Sequence, residues 1–348
     1  MTIARIWRWA AAATIAAMAW APTVASADAV ADFYKGKQIR LVMGFAPGGA
    51  DDAYGRLLAH YMPKYVPGEP LFLPQNMPGA GSLTAANAIY NTLPRDGTVF
   101  GVTHRFVPLM PLLNVKGAQF DPLKFTYIGS VNREIGLCIA MKSAGFKSMD
   151  DMKTREFVAG TTGAGAELTT FYATITNMLG AKIRVVKGYK SAVEVNLAME
   201  RGEVQGRCGA SYGTLKSTKP DFLTEHKVDV LIQLGLHKDP ELPDVPLLGD
   251  LVTNDADRKG LELLLGPSEM GRPFMAPPDM PADRTAALRK AFDLVLKDAE
   301  LVADARNQRL EINPVSGEEM QKRVAAFYQV PEAVVARTRE LVAQGGGE

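Results

Sequence analysis

The sequence predicts an α/β protein of two lobes, each a mostly parallel sheet flanked by helices. Three observations predict it. Apolar strand segments alternate with amphipathic helices through the first hundred residues and again from about Ile135, as parallel strands joined by crossover helices do. Each set holds a strand that runs through a glycine loop straight into a helix. The 348 residues less a leader of 27 leave 321, more than one ordinary core takes up.

The leader comes first. Arg5 and Arg8 precede an apolar run over residues 9–21, and Ala25-Ser26-Ala27 stands before Asp28. A basic flank, a short apolar core and small residues at the minus-three and minus-one positions describe a signal peptide cleaved after Ala27. The core is shorter than the roughly 20 residues of a spanning helix, so the remaining chain is expected to be soluble and outside the cytoplasm. Losing Arg5 and Arg8 lowers 39 basic side chains to 37 against 38 acidic, a formal charge of −1. Nothing in that balance marks nucleic acid or an anionic membrane as a partner.

The first strand, residues 39–43, enters Gly44-Phe45-Ala46-Pro47-Gly48-Gly49, and the next helix carries Tyr54, Leu57, Leu58, Tyr61, Met62 and Tyr65 at three- and four-residue spacing. Gly48 and Gly49 leave room for a ligand beside the backbone. The N–H groups of the helix's first turn carry partial positive charge, so the loop favours an anion. Neither GxxxxGK[ST] nor GxGxxG is present, which argues against phosphate and dinucleotide and leaves a carboxylate as the expected guest. A strand at 71–73, the Pro78-Gly79-Ala80-Gly81 turn, a helix from Ser82 as N-cap through Leu93, an Asp96-Gly97 turn and a strand at 99–102 follow.

The second set begins with a strand at 136–141, a short helix at 148–153 with Ser148 and Asp151 placed as a capping box, and a strand at 157–160. Thr161-Thr162-Gly163-Ala164-Gly165-Ala166-Glu167 then leads into a helix bearing Leu168, Phe171, Tyr172 and Ile175 on its apolar side. Further strands are expected at 183–186, 204–208 and 228–233, with a helix at 191–201. From about Asp255 the chain reads as mainly helical, one helix starting at Pro281-Ala282-Asp283 and the last following a Ser316–Glu319 capping box.

His60, His104, His226 and His237 show no metal spacing, and Cys138 and Cys208 lie 70 positions apart. No metal site and no cofactor are expected. Asp51-Asp52 reads either as an acid–base pair or, preferably, as one carboxylate supporting the positive end of the helix and one solvated. The cysteines are read as buried thiols behaving as small apolar groups, against the disulfide that an oxidising compartment permits.

Phe45-Ala46-Pro47-Gly48-Gly49 with Asp52 resembles the first ligand loop of the Bug-type periplasmic solute receptors of tripartite tricarboxylate transporters. The resemblance continues in order through Asn76-Met77-Pro78-Gly79-Ala80-Gly81-Ser82, Asp96-Gly97, Tyr189-Lys190-Ser191, Leu242-Pro243-Asp244-Val245-Pro246 and Ala276-Pro277-Pro278. It covers nearly all of the chain after the leader. It implies a type II periplasmic-binding-protein-like fold with a ligand cleft between the lobes. Residues 28–133 plus 262–348 would form lobe 1 and 134–261 lobe 2, with crossings near 130–136 and between 232 and 265. It also implies a periplasmic, monomeric, non-enzymatic receptor that hands a small organic carboxylate to membrane-embedded transporter subunits.

In that family one ligand carboxylate is held largely by backbone N–H groups and ordered water from two glycine loops. Carried onto this sequence, the resemblance implicates Phe45, Ala46, Pro47, Gly48, Gly49 and Asp52 from the first lobe. It implicates Thr161, Thr162, Gly163, Ala164, Gly165 and Ala166 from the second. Gly79, Ala80 and Gly81 match the family's loop near the cleft. His104 and Arg105 stand where the family usually has small hydroxyl residues; Arg105 either clamps a second carboxylate in two-pronged fashion or is a solvated surface arginine. Arg207 stands where many relatives carry an acidic or apolar pattern, and either faces the cleft, favouring a dianion, or is an edge-strand charge. Tyr189 and Tyr212 either flank the variable end of the ligand or pack ordinarily. The expected ligand is a di- or tricarboxylate or an aromatic acid, bound by hinge closure. A periplasmic sensor feeding a signalling partner, or an enzyme using Asp52 or His104, is the alternative.

Overall fold

The structure is a computed structural model and describes residues 23–162 and 167–343. The expected leader core at 9–21 and the loop residues Gly163, Ala164, Gly165 and Ala166 lie outside the described residues. The first part of the chain comprises α1 (Thr23–Tyr34), β1 (Gln38–Met43), α2 (Ala50–Tyr61), β2 (Leu71–Asn76), α3 (Leu83–Asn91), β3 (Val99–Val102) and β4 (Thr126–Ser130). The expected cleavage point after Ala27 falls within α1. The middle comprises β5 (Gly136–Met141), α4 (Met149–Thr154), β6 (Phe157–Thr161), α5 (Glu167–Leu179), β7 (Ile183–Lys187), α6 (Ala192–Glu200), β8 (Gly206–Ser211), α7 (Tyr212–Thr218), α8 (Pro220–Thr224) and β9 (Val228–Leu234). The remainder holds α9 (Asp255–Leu265), β10 (Pro273–Ala276), α10 (Ala282–Val295), α11 (Ala299–Asn307), β11 (Val315–Ser316), α12 (Gly317–Phe327) and α13 (Glu332–Val342).

These strands form two sheets, ordered β11-β4-β10-β3-β1-β2 and β7-β6-β8-β5-β9. Both are mixed, which corrects the expectation of mostly parallel sheets. The pairs β1–β2, β1–β3, β6–β7 and β6–β8 are parallel and follow crossover helices; β10 with β3 and β4, β11 with β4, and β5 with β8 and β9 are antiparallel. The antiparallel strands include those by which the chain enters or leaves a sheet, β4, β5, β9 and β10. No crossover helix returns such a strand to its own sheet, so nothing constrains it to run parallel. The last part is mainly helical, as expected, but it also supplies the unforeseen β10, which sits inside the six-stranded sheet between β3 and β4.

Helices cover both faces of each sheet. On the six-stranded sheet one face packs Leu57 and Leu58 of α2 and Leu288 and Phe292 of α10, and the other Ala86 and Ile89 of α3 and Met320 and Val324 of α12. On the five-stranded sheet Phe171 and Ile175 of α5 lie on one face, and Val195 of α6 and Leu215 of α7 on the other. The amphipathic stripes predicted for α2 and α5 are the buried ones.

Cys138 and Cys208 are register partners on β5 and β8 and are joined by a disulfide, not left as two thiols. Both are fully buried and face each other across an antiparallel pair, where side chains on one face come close. Among the described residues no helix is long and apolar enough to cross a membrane.

Candidate functional site

The turn from β1 into α2 is braced from inside. Asp52 Oδ2 accepts the Gly48 N–H and Arg56 Nε, each at 3.0 Å, and its Oδ1 accepts Asn76 Nδ2 at 2.8 Å. Asn76 Nδ2 also donates to the Phe45 carbonyl at 3.0 Å. Burial pushes the Asp52 carboxyl up, but the hydrogen bonds from Arg56, Gly48 and Asn76 outweigh it and hold it below its usual range. Asp52 therefore shapes the loop, and the Gly48 N–H is spent on it. Gly48 has φ +89°, and an added Cβ would meet nothing within 4 Å there or at Gly49, so the outer side of this turn is open. Those two glycines, Asp52, Arg56 and His60 line a cavity of about 320 Å³ together with Asp304 of α11 and Gln308 at that helix's end.

The other wall of the turn is a close approach. A Cβ on Gly44 would lie 2.6 Å from Ser82 Oγ, whose hydroxyl donates to the Gly44 carbonyl at 2.9 Å. The run Gly79, Ala80, Gly81 and Ser82 has positive φ throughout, 146°, 46°, 65° and 71°. Two non-glycine residues held left-handed, Ala80 and Ser82 on either side of Gly81, mark a locally strained segment, clamped against the end of β1.

The chain leaving β3 brings charge to the same place. The His104 ring lies 6.3 Å from that of Phe45, centroid to centroid, and its Nδ1 accepts the Phe106 N–H at 3.3 Å. His104 Nε2 is 3.2 Å from Glu167 Oε2, at the first residue of α5. Arg105 reaches the same carboxylate with two prongs, Nε to Oε1 at 2.9 Å and Nη2 to Oε2 at 3.1 Å. Both side chains are buried, 5% and 4% exposed. Burial pushes the Glu167 carboxyl up, but Arg105 and then His104 outweigh it and hold it at about 2. Arg105 is thus neither solvated nor free: it ties a loop of the six-stranded sheet to a helix of the five-stranded one.

A second buried knot joins the same two sets of elements. Arg272, just before β10, contacts Asp51 at 2.9 Å through Nε, Glu134 through Nη1 and Thr214 Oγ1 at 2.9 Å through Nη2, and stacks 4.5 Å over the Tyr54 ring. Glu134 also accepts the Gly213 N–H at 2.6 Å and Asn132 Nδ2 at 3.2 Å. Burial raises the Glu134 carboxyl, but Arg272, then Arg105, and the hydrogen bonds outweigh it and hold it low. Asp51 is thus ion-paired, in place of the solvated carboxylate expected from the Asp51-Asp52 pair.

No protein-family model matches the chain. A protein of Agrobacterium vitis described as "UPF0065 protein in the TAR-I ttuE-ttuC' intergenic region" is 24% identical over 340 residues, 93% of this chain and 88% of that one. The solved structure of the periplasmic binding protein BugD superposes with a TM-score of 0.69 at 20% identity, covering 89% of this chain and 99% of that chain. Rpa4515 of R. palustris, solved with adipate, gives 0.67 at 20% identity over 87% and 97%. The fold is that of the Bug-type periplasmic binding proteins.

Within this Bug-type fold the remaining predicted residues fall as follows. Thr161, at the end of β6, is buried with its hydroxyl 2.8 Å from that of Thr169, and Thr162 is half-buried beside it. Tyr189 lies over Gly160, where a Cβ would meet its ring at 3.1 Å, and its hydroxyl faces Glu203. Tyr212 donates to Glu241 at 2.9 Å and lines a cavity of about 890 Å³ between α7, α8 and α11. Arg207 is not an edge charge, because β8 is the central strand of its sheet. It is buried, donates from Nη1 to the Ala192 carbonyl at 3.3 Å, and burial lowers its guanidinium to about 10. Sequence reasoning missed Glu134 and Arg272 and read Glu167 only as a helix start; a charge set in an apolar run such as Gly271-Arg272-Pro273-Phe274 was the available signal.

Proposed function

We propose that the chain is an extracytoplasmic receptor that closes on a small organic carboxylate and delivers it to a tripartite tricarboxylate-type membrane transporter. One observation carries this reading: within the Bug-type fold the glycine turn before α2 meets the start of α5 through Phe45, His104 and Glu167. The helix α2 follows the glycine turn and Glu167 opens α5, and the free N–H groups of a helix's first turn favour an anion. Rpa4515, of the same fold, was solved with adipate, a dicarboxylate.

On this reading Phe45 through Gly49, apart from the Gly48 N–H that Asp52 takes up, and Thr161 through Ala166 supply the carboxylate-binding backbone, with Gly79 to Gly81 and His104 beside them. Lobe 1 is residues 28–133 plus 262–348 and lobe 2 is 134–261; ligand stabilises the closed state by touching both. Residues 1–27 direct export to the periplasm and are removed after Ala27, and the receptor acts as a monomer without catalysis. The test is a thermal-shift screen of residues 28–348 against organic acids, after stripping by unfolding and refolding. An acid that raises the midpoint with the logarithm of its concentration, and is unchanged by NMR, supports the receptor. Product formation, or silence across mono-, di- and tricarboxylates and aromatic acids, overturns it.

A further inference from the structure

Arg105 and His104 lie on the chain leaving β3, and both already face a carboxylate, that of Glu167. The pairing has the two-pronged geometry a guanidinium offers a ligand carboxylate. It is built into the fold: Glu167 opens α5, so its position is set by β6 and the helix, and Arg105 follows directly on β3. Around it the buried Glu134 and Glu167 and the partly buried Asp51 stand against Arg105 and Arg272. A second ligand carboxylate arriving here would meet no free guanidinium and would be repelled by Glu167.

We infer that Glu167 is a specificity-determining residue that occupies the place of a ligand's second carboxylate, so that the cleft takes acids with one carboxylate and an uncharged remainder and rejects dicarboxylates. The inference rests on the receptor reading above and reverses the ligand preference that a free Arg105 would give. An ionised side chain left without its partner in a buried site is strongly unfavourable. A dicarboxylate would therefore have to displace Glu167 from the buried two-pronged pair with Arg105.

The test compares linear mono- and dicarboxylates of matched length, hexanoate and adipate among them, on residues 28–348 by calorimetric titration. The unaltered chain is expected to bind the monocarboxylate at least about tenfold more tightly than its dicarboxylate counterpart. In Glu167→Gln, which keeps the shape and removes the charge, the ratio of dicarboxylate to monocarboxylate affinity should rise by about tenfold or more. The double variant Arg105→Met/Glu167→Met removes both charges, keeps the site packed, and should show no such gain; it also serves where Glu167→Gln fails to fold. A dicarboxylate that binds the unaltered chain as well as its monocarboxylate partner overturns the inference while leaving the receptor reading intact. An unchanged ratio in Glu167→Gln, or a gain in the double variant, overturns it as well. Silence toward every acid in all three proteins removes the receptor reading and the selectivity with it.

Discussion

Asp52 accepts three donors from three different parts of the chain, and each holds one side of the loop before α2 in place. Asp52→Ala leaves the Gly48 N–H without its acceptor and removes one of the two that Asn76 Nδ2 has, and is expected to cost about 1–3 kcal/mol, read by urea unfolding. Asp52→Asn retains an acceptor for Gly48 and should cost less. Glu167 makes the pH prediction. Its folded carboxyl sits at about 2, below an unfolded value of about 4.3. A depressed carboxyl stabilises the fold above the unfolded value, and that contribution, on the order of 3 kcal/mol, is lost as pH falls from about 4.3 toward about 2. Thermal midpoints across that window should fall more steeply for the unaltered chain than for Glu167→Gln; equal slopes would show that the pair contributes nothing to folding. The Phe45 to Gly49 motif and Asp52 were legible in the sequence because they stand together in one short run; the Asn76 that completes the brace lies 24 positions on. The role of Glu167 was not legible, since its meaning depends on an arginine 62 positions away.

The elements that periodicity identified are those with one exposed face. α2, α5 and α10 carry apolar stripes at helical spacing, and the Ser148–Asp151 capping box stands where its residues suggested. β10 escaped because all four of its residues are buried and the first is proline, so it shows neither alternation nor an ordinary strand start. β8 starts at Gly206, two residues later than expected, and its glycine at 209 has φ +90° where the register with β5 shifts. Across that pair the disulfide closes a loop of 70 residues. Loop-closure entropy assigns it about 4 kcal/mol. Cys138→Ala/Cys208→Ala should lower stability by about 2–4 kcal/mol in denaturant unfolding, and reductant should bring the unaltered chain toward the same midpoint.

At the scale of the molecule the two sheets are held against each other by charges withdrawn from water. Arg272 alone joins Asp51 and Tyr54 of α2 to Glu134 on the segment between β4 and β5 and to Thr214 of α7. Lys216 of α7 pairs with Glu311, whose carbonyl accepts the Tyr54 hydroxyl at 2.7 Å. Arg272→Met strands a buried carboxylate at Glu134 and is expected to cost about 3–5 kcal/mol; adding Glu134→Gln should recover part of that. Urea unfolding of the single and double variants checks this, and a double variant no more stable than the single one would show that Arg272 acts through packing alone.

By itself the sequence determined the alternation of strands and helices, the two glycine loops, the stripes that become the cores and the motif order that resembles the Bug-type receptors. All of these are written in residues close to one another, where backbone propensity and periodicity act. Only the tertiary structure decided that the sheets are mixed, that Cys138 meets Cys208, that β10 enters the six-stranded sheet and that Arg105 is already paired. Each of those facts joins residues far apart in the chain, and what a buried charge does is decided by the charge that packs against it.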